Sequence, residues 1–504
     1  MIKRNFHYRL LPIAVALVLA GCSLSPDYTR PAAPVPQTYP NASEGLQDEN
    51  AVPAAELGWR QFFRDPQLKA LIEIALVNNR DMRVAIERVE ESRALYGIQQ
   101  SDRFPTIGAG ANASLQRMPE QLRAGGASAP SVSRTYQAGV GVTAFELDLF
   151  GRVKNLTEAA YQQYLASEQA RRTVHITLIS QVAEAYFRLR ATELQRQLIT
   201  QTLKSRTNSY DLIQKRFDIG VAGSLDLYQA KSQLDQVRSD LQEIRRLEQQ
   251  AQNALLLLLG DTPRKSLPEA APFSRDQLLA DIPVGLPSDL LTRRPDIMAA
   301  ENNLLAANAN IGAARAAFFP NISLTGLLGF ASDAMGGLFS GSNRFWSFTP
   351  EITMPIFGGG VSGNLDLAKA RKNIAVAQYE KTIQEAFREV ADALAGEATY
   401  AEQLDALRDL EKSASESLRI AQLRYDNGID SFLQVQTAEV TLYDAQRLFL
   451  DTGMSSLMNR VELYKALGGG WNENTVVQAP DVKDANSVVD DTQLPVQSSQ
   501  EQPT

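Results

Sequence analysis

The chain runs to 504 residues with a formal net charge of −8 and 44% hydrophobic residues, enough to bury large surfaces and the wrong sign for a nucleic-acid partner. Its single cysteine excludes an intramolecular disulfide and a cysteine-built metal site. There is no Ser/His/Asp set, HExxH, P-loop or GxGxxG at a strand–helix junction, which argues against an enzyme.

Met1 to Ala20 carries an early basic cluster (Lys3, Arg4, Arg9) and then an apolar run from Leu10 to Ala20. The run is too short to cross a bilayer and reads as a secretory signal peptide over 1–21. It ends Leu19-Ala20-Gly21-Cys22, which resembles the bacterial lipobox. On that reading Cys22 carries covalent lipid (diacylglycerol and an N-acyl chain) and becomes the mature N-terminus. By the same resemblance, Ser23 rather than Asp after the cysteine points to the outer membrane. No other cofactor and no metal site is indicated. One lipid group is an incomplete anchor, so further membrane contact is expected. Residues 22–53, rich in Pro, Ala and polar residues, read as an extended tether.

Helices are expected over Asp65–Asn78 and Asp81–Ser101, stopped by Pro105, which lacks the amide a helix needs. Strands follow over Thr106–Arg117 and Arg134–Asp148, where Val140, Val142 and Ala144 alternate with Gly139, Gly141 and Thr143. From Arg152 to Asp218 there is no proline, and Leu178, Val182, Tyr186 and Leu189 share a face; such a helix is on the order of 100 Å long. Gly220 and Gly223 mark a turn. The return helix repeats Ala230, Leu234, Val237, Leu241 and Ile244 in steps of 4, 3, 4, 3, a coiled-coil seam, and ends at Leu255–Leu259 and Gly260, where buried packing is expected.

Residues 261–287 hold five prolines and join this first repeat (54–260) to a second (288–470). Phe104-Pro105-Thr106-Ile107 matches Phe319-Pro320-Asn321-Ile322, Arg216 and Gly220 match Arg424 and Gly428, and Leu259-Gly260 matches Leu467-Gly468. The chain is therefore a tandem duplication. The second repeat offers strands over 321–332 and 344–357, the latter alternating through Trp346, Phe348, Pro350, Ile352 and Met354. A long helix Val361–Asp426, a turn at Gly428 and a return helix to Leu467 follow. The tail 471–504, acidic and aperiodic from Asp481, reads as largely disordered, although Trp471 and Val476-Val477 are candidates to pack on the body. His175, the one histidine beyond the signal peptide, falls on a long helix, where surface or interface packing is the ordinary role. Gly358-Gly359-Gly360 lacks a following Lys-Ser/Thr and reads as a strand-to-helix corner.

Four strands cannot close a barrel, and open edges are not tolerated in lipid. Two chains would supply eight strands and three would supply twelve; eight leave an interior filled by side chains, so passage favours three.

Several segments carry a specific resemblance: ELDLFGRV at Glu146–Val153, RRPDI at Arg293–Ile297, IGAARAAFFPNISLTG at Ile311–Gly326, FREVADAL at Phe387–Leu394 and LYKALGGGW at Leu463–Trp471. From Trp59 to Trp471 the chain resembles the TolC/OprM outer-membrane efflux channels, most closely the lipoprotein branch serving resistance-nodulation-division (RND) drug pumps. The resemblance implies an α+β membrane protein: a homotrimer with a 12-stranded β-barrel, four strands per chain, continuing into a helical coiled-coil periplasmic tunnel. The 261–287 linker would lie in an equatorial belt. The implied partners are a periplasmic adaptor, an inner-membrane RND transporter and outer-membrane lipid. The adaptor would dock at Gly220, Val221, Ala222, Gly428, Ile429 and Asp430. The periplasmic gate would involve Tyr425, Leu433, Gln434 and Thr437. Relatives often place aspartates where Gln434 and Thr437 stand and an arginine where Val440 stands, which leaves an acidic gate ring in doubt and an apolar constriction at Leu433 in place. Tyr425 also fits plain coiled-coil packing. The implied function is a passive, gated duct for small-molecule efflux; a protein-secretion duct and a coiled-coil envelope spacer are the alternatives.

Overall fold

The computed structural model describes residues 23–40, 53–262 and 266–474, apart from 118, 120, 122, 124–129, 280, 281, 283, 284 and 286. The signal peptide, Cys22, most of the connection after residue 117, Val476-Val477 and the rest of the tail from 475 lie outside the described residues.

The first repeat comprises α1 (Pro66–Asn78), α2 (Arg80–Ser101), β1 (Ile107–Arg117), β2 (Val132–Glu146), α3 (Arg152–Asp218) and α4 (Ser224–Leu259). The second comprises α5 (Pro295–Ala316), β3 (Asn321–Ser332), β4 (Arg344–Thr353), α6 (Gly359–Asp426) and α7 (Phe432–Ala466). Asp65, expected inside α1, is instead its cap, accepting from the N–H groups of Gln67 at 2.8 Å and Leu68 at 3.4 Å. Asn79 caps α2 in the same way, accepting from Met82 N–H at 3.0 Å, so that helix starts one residue before Asp81. No helix among the described residues is long and apolar enough to cross a membrane.

The strands form one antiparallel sheet in the order β1-β2-β3-β4, so the β2–β3 pairing welds the two repeats. Its register sorts the side chains by face. Ala109, Val140, Leu328 and Trp346 form one cross-strand row on an apolar face, while Gly108, Gly141, Leu327 and Ser347 form a row on the other. Two expectations are corrected here. Alternation through Ala144 fails, because the register shifts between Val142 and Phe145. Ala144 turns to φ 50°, and its N–H donates to Thr325 Oγ1 at 3.2 Å. The extra residue flips the phase, so Phe145 joins Leu324 on the apolar face and Glu146 joins Ser323 on the polar one. The strand bounds shift as well. β2 starts at Val132 and ends at Glu146, and β4 stops at Thr353, shortly before Pro355, which has no N–H to offer a ladder. Asp148, beyond the strand, accepts from Lys154 N–H at 2.7 Å in the first turn of α3.

The main core lies where both helix hairpins cross the α1 region and the linker. Val182 and Val390, equivalent in the two repeats, are both fully buried in it. Tyr464 stacks on Phe62 with centroids 3.9 Å apart, and its hydroxyl donates to Leu57 O at 2.5 Å. Linker residue Leu278 pairs with Phe63 in an isolated bridge and is fully buried. The expected seam of α4 is buried at all five positions from Ala230 to Ile244. The leucine run at its end is only half buried: Leu255 and Leu259 pack inward, whereas Leu257 is 80% exposed, because five consecutive residues pass more than once round a helix and cannot all turn to one face.

The segment 23–40 is extended, as expected of a tether, yet it is packed on the body. Ser23 Oγ donates to Asn155 Oδ1 at 2.8 Å, and Arg30 makes a two-bond pair with the mostly buried Glu301, both at 2.8 Å. Tyr39 stacks on Phe387 at 5.2 Å. Further along, Trp471 lies against His175 at 5.2 Å and under the guanidiniums of Arg171 and Arg172.

Candidate functional site: the paired helix turns and the wall above them

Both long hairpins end in the same hydrogen-bonded turn. Gly220 adopts φ 78°, its N–H donates to Phe217 O at 2.9 Å and Val221 N–H donates to Arg216 O at 2.8 Å. Gly428 adopts φ 72°, its N–H donates to Tyr425 O at 2.9 Å and Ile429 N–H donates to Arg424 O at 2.9 Å. This is the Schellman closure, which satisfies the last helix carbonyls. A Cβ on either glycine would touch nothing, so the left-handed backbone alone requires glycine. Val221 and Ile429 are each 63% exposed at the turn tips.

The turns differ in charge at the position two residues after the glycine, and their arginines diverge as a result. Arg424 grips Asp430 through two bonds of 2.6 and 3.0 Å. This charge-assisted contact holds the Asp430 carboxyl below the usual aspartate range. The first repeat has Ala222 in that position. Arg216, with no carboxylate there, lies over the ring of Tyr425 at 5.0 Å. Tyr425 thus joins the two hairpins: its ring tilts against Phe432 at 5.5 Å, beside the cluster of Ile213, Ala230, Phe432 and Val435. Burial, partly opposed by Arg216, raises the Tyr425 hydroxyl pKa.

Leu433, Gln434 and Thr437 occupy a different face of α7. All three are exposed, while Phe432, Val435, Ala438 and Glu439 turn inward. Thr437 Oγ1 donates back to Leu433 O at 2.9 Å, which leaves a face of one leucine, one amide and one capped hydroxyl, without charge. Val440 is half-buried. The structure therefore brings Leu433, Gln434 and Thr437 together and sets Tyr425 apart, inside the joint.

Two turns from the start of α7, Glu439 meets Arg206 of α3 at 2.5 Å in the buried seam. Burial raises the Glu439 carboxyl pKa and lowers that of the Arg206 guanidinium, each against the pull of its partner. Sequence reading missed this pair, although its signal is present. Ile199, Leu203, Arg206, Tyr210 and Ile213 step by 4, 3, 4, 3, and Phe432, Val435 and Glu439 step by 3 and 4. Each helix places a charge at a position that its periodicity assigns to the seam.

At the other end, the polar face of the sheet carries the row Glu146–Ser323–Glu351. Glu146 is held by Arg152 through a two-bond pair, one bond of 2.8 Å. Among the described residues no group of His, Cys, Asp and Glu is arranged to hold a metal ion. The arrangement is a wall with two unlike faces and a tip.

The family model for outer membrane efflux protein matches residues 71–261 and 286–469. An antibiotic efflux pump outer membrane protein of Pseudomonas putida, ArpC, is 48% identical over 469 residues, which span 92% of this chain and 96% of that protein. The toluene efflux pump outer membrane protein TtgC of the same species is 47% identical over 469 residues, with the same coverage. Among solved structures, the open-state MtrE outer membrane channel of Neisseria gonorrhoeae superposes with a TM-score of 0.81 at 38% identity, over 90% of this chain and all of that one.

Proposed function

The chain belongs to the outer membrane efflux protein family, and from that premise we propose that it is the outer-membrane duct of a tripartite RND-type pump, passive and gated at its helical tip. One observation carries the reading: a four-stranded sheet with one apolar and one polar face and two unpaired edges, set on helix hairpins of 67 and 36 and of 68 and 35 residues. Only a closed barrel satisfies such edges in lipid, and three copies give twelve strands around an open lumen. The outermost helices of the protomer support closure. α2 exposes Val84, Leu95 and Ile98, and α6 exposes Leu367 and Ile374, apolar surface for neighbouring copies to cover.

Covalent lipid on Cys22 completes the proposal. Its neighbour Ser23 is bonded to Asn155 in the first turn of α3, and Leu24 O accepts from Arg315 at 3.0 Å at the end of α5. The acyl chains would then enter the membrane beside the root of the barrel. The exposed turns at Gly220-Val221-Ala222 and Gly428-Ile429-Asp430 are the adaptor contact, and cargoes are of the drug and solvent type for which the relatives are named. The duct performs no chemistry of its own, and the inner-membrane transporter supplies the energy.

Single-channel conductance of the purified protein in a planar bilayer tests the reading. Small, mostly closed events that grow when Tyr425 and Leu433 are changed to Ala are expected. A folded, inserted trimer that never conducts would reject the duct.

A further inference from the structure

The end of the sheet farthest from the helices carries three arginines that the duct does not use. The register places Arg117 opposite Val132, Arg134 opposite Leu115 and Arg344 opposite Phe330. All three therefore stand on the apolar face, which in a barrel faces lipid. The polar face at that height presents Ser114, Gln116, Ser133 and Thr135 and no charge. The three arginines are exposed, and among the described residues none has a carboxylate partner.

A lipid-facing arginine is costly at the bilayer midplane and costs little at the interface, so the three mark the level of the headgroups. The apolar face runs four rungs inward from Arg344 to Ile352. At about 6.8 Å per rung and a tilt of about 40°, this is roughly 20 Å of bilayer depth. Exposed Met354 and Ile356 extend the band on the helix side. Arg344 consequently lies at the boundary of the outer leaflet, with Arg134 and Arg117 above it. Closing the barrel sets β4 beside β1 of the next protomer, so Arg344 and Arg117 stand at the same end of one seam.

Below the arginines lies a groove of about 810 Å³. Ala109, Ala111 and Ala138 keep its floor low, Leu328 and Phe330 form its side, and Arg344 lies on its outer rung. Phe339 folds back from the β3–β4 loop and meets Phe330 edge-on at 5.5 Å, walling the groove. An apolar channel capped by unpaired guanidiniums matches one kind of molecule, an acyl chain with a phosphate at its head.

We propose that this surface binds a phosphate-bearing lipid of the outer leaflet, with an acyl chain in the groove, one phosphate held by Arg344 on its outer rung and a further phosphate held above it by the diagonal neighbours Arg117 and Arg134. The proposal rests on the barrel reading above. The test uses the full-length trimer in detergent, with bisphosphorylated lipid A, its dephosphorylated counterpart and inorganic phosphate as probes, read by native mass spectrometry. The bisphosphorylated lipid is expected to bind at least about tenfold more tightly than the dephosphorylated one, and R117Q/R134Q/R344Q to remove that preference. Ala138→Trp, which fills the groove and keeps the arginines, should also weaken binding. Should the triple variant fold poorly, Arg344→Gln alone is expected to lower the preference severalfold. Equal binding of the two lipids, an Arg344→Gln variant that behaves as wild type, or displacement of the lipid by millimolar inorganic phosphate overturns the site. Conductance and trimeric migration of the same preparation separate the two readings. Failure to insert overturns the barrel and this site with it, whereas a conducting trimer indifferent to lipid phosphate overturns the site alone.

Discussion

Arg206 and Glu439 are bound to each other at 2.5 Å inside the tunnel wall, 5% and 8% exposed, with one residue from each repeat. Both pKa shifts run against the partner's pull, so desolvation exceeds attraction at this pair. Glu439→Ala, which strands a buried guanidinium, is expected to cost about 3–5 kcal/mol, whereas R206L/E439L should be near wild type or more stable. Thermal melting of the two variants decides. A double variant as damaged as the single would show that the pair is a net stabiliser after all.

At the turns, Gly220→Ala and Gly428→Ala should each cost about 1–2 kcal/mol, because an L side chain resists the left-handed backbone even in open space. Gly223 has φ −79° and equally open surroundings, so Gly223→Ala should change stability by no more than a few tenths. Denaturant midpoints compare the three directly; a cost at Gly223 equal to the others would remove the backbone explanation.

Asp430 is clamped by Arg424, with its carboxyl held below the usual range, so the clamp is present at neutral pH and is lost only as pH falls through that lowered value. Asp430→Lys replaces the clamp with repulsion at an exposed tip. Efflux in cells should fall while trimer yield stays normal, and Asp430→Asn should give a milder loss. Normal efflux by the lysine variant at normal expression would argue against an adaptor contact at this turn.

His175 offers a pH test of the middle of the molecule. Burial, with a smaller contribution from Arg171, lowers its pKa to about 4. The unfolded chain therefore takes up a proton near pH 6.5, while the folded chain resists. Stability associated with neutral His175 is full above pH 6.5 and declines as pH falls toward 4, by up to about 3 kcal/mol. His175→Gln should flatten that decline in melting curves recorded between those two values; identical slopes would show that the imidazole is not held neutral against Trp471.

Much of this architecture is legible because its signals are local. Steps of 4 and 3 from Ala230 to Ile244 put five side chains on one stripe of any α-helix, and all five are buried. Asp65, expected inside α1, is its cap, and a cap looks like a helix residue until its side-chain bond is seen; α2 starts directly after its cap Asn79, at Arg80, one residue before the expected Asp81. Glu146 was harder to read. The bulge at Ala144 reverses the phase of β2, and nothing in a period of two announces an inserted residue.

The sequence by itself determined the duplication, the two-faced strands, the hairpin lengths and the glycine turns, because each follows from spacing along a single element. Only the tertiary structure decided how the repeats are joined. Arg216 and Arg424 are equivalent in sequence, yet one lies over Tyr425 and the other holds Asp430, because Ala222 offers no carboxylate and the second hairpin brings a ring within reach. Arg206 finds Glu439 across 233 residues for the same kind of reason. Which faces of two helices meet depends on how the whole chain packs, and a charge in a seam has a partner only once the opposing seam is in place.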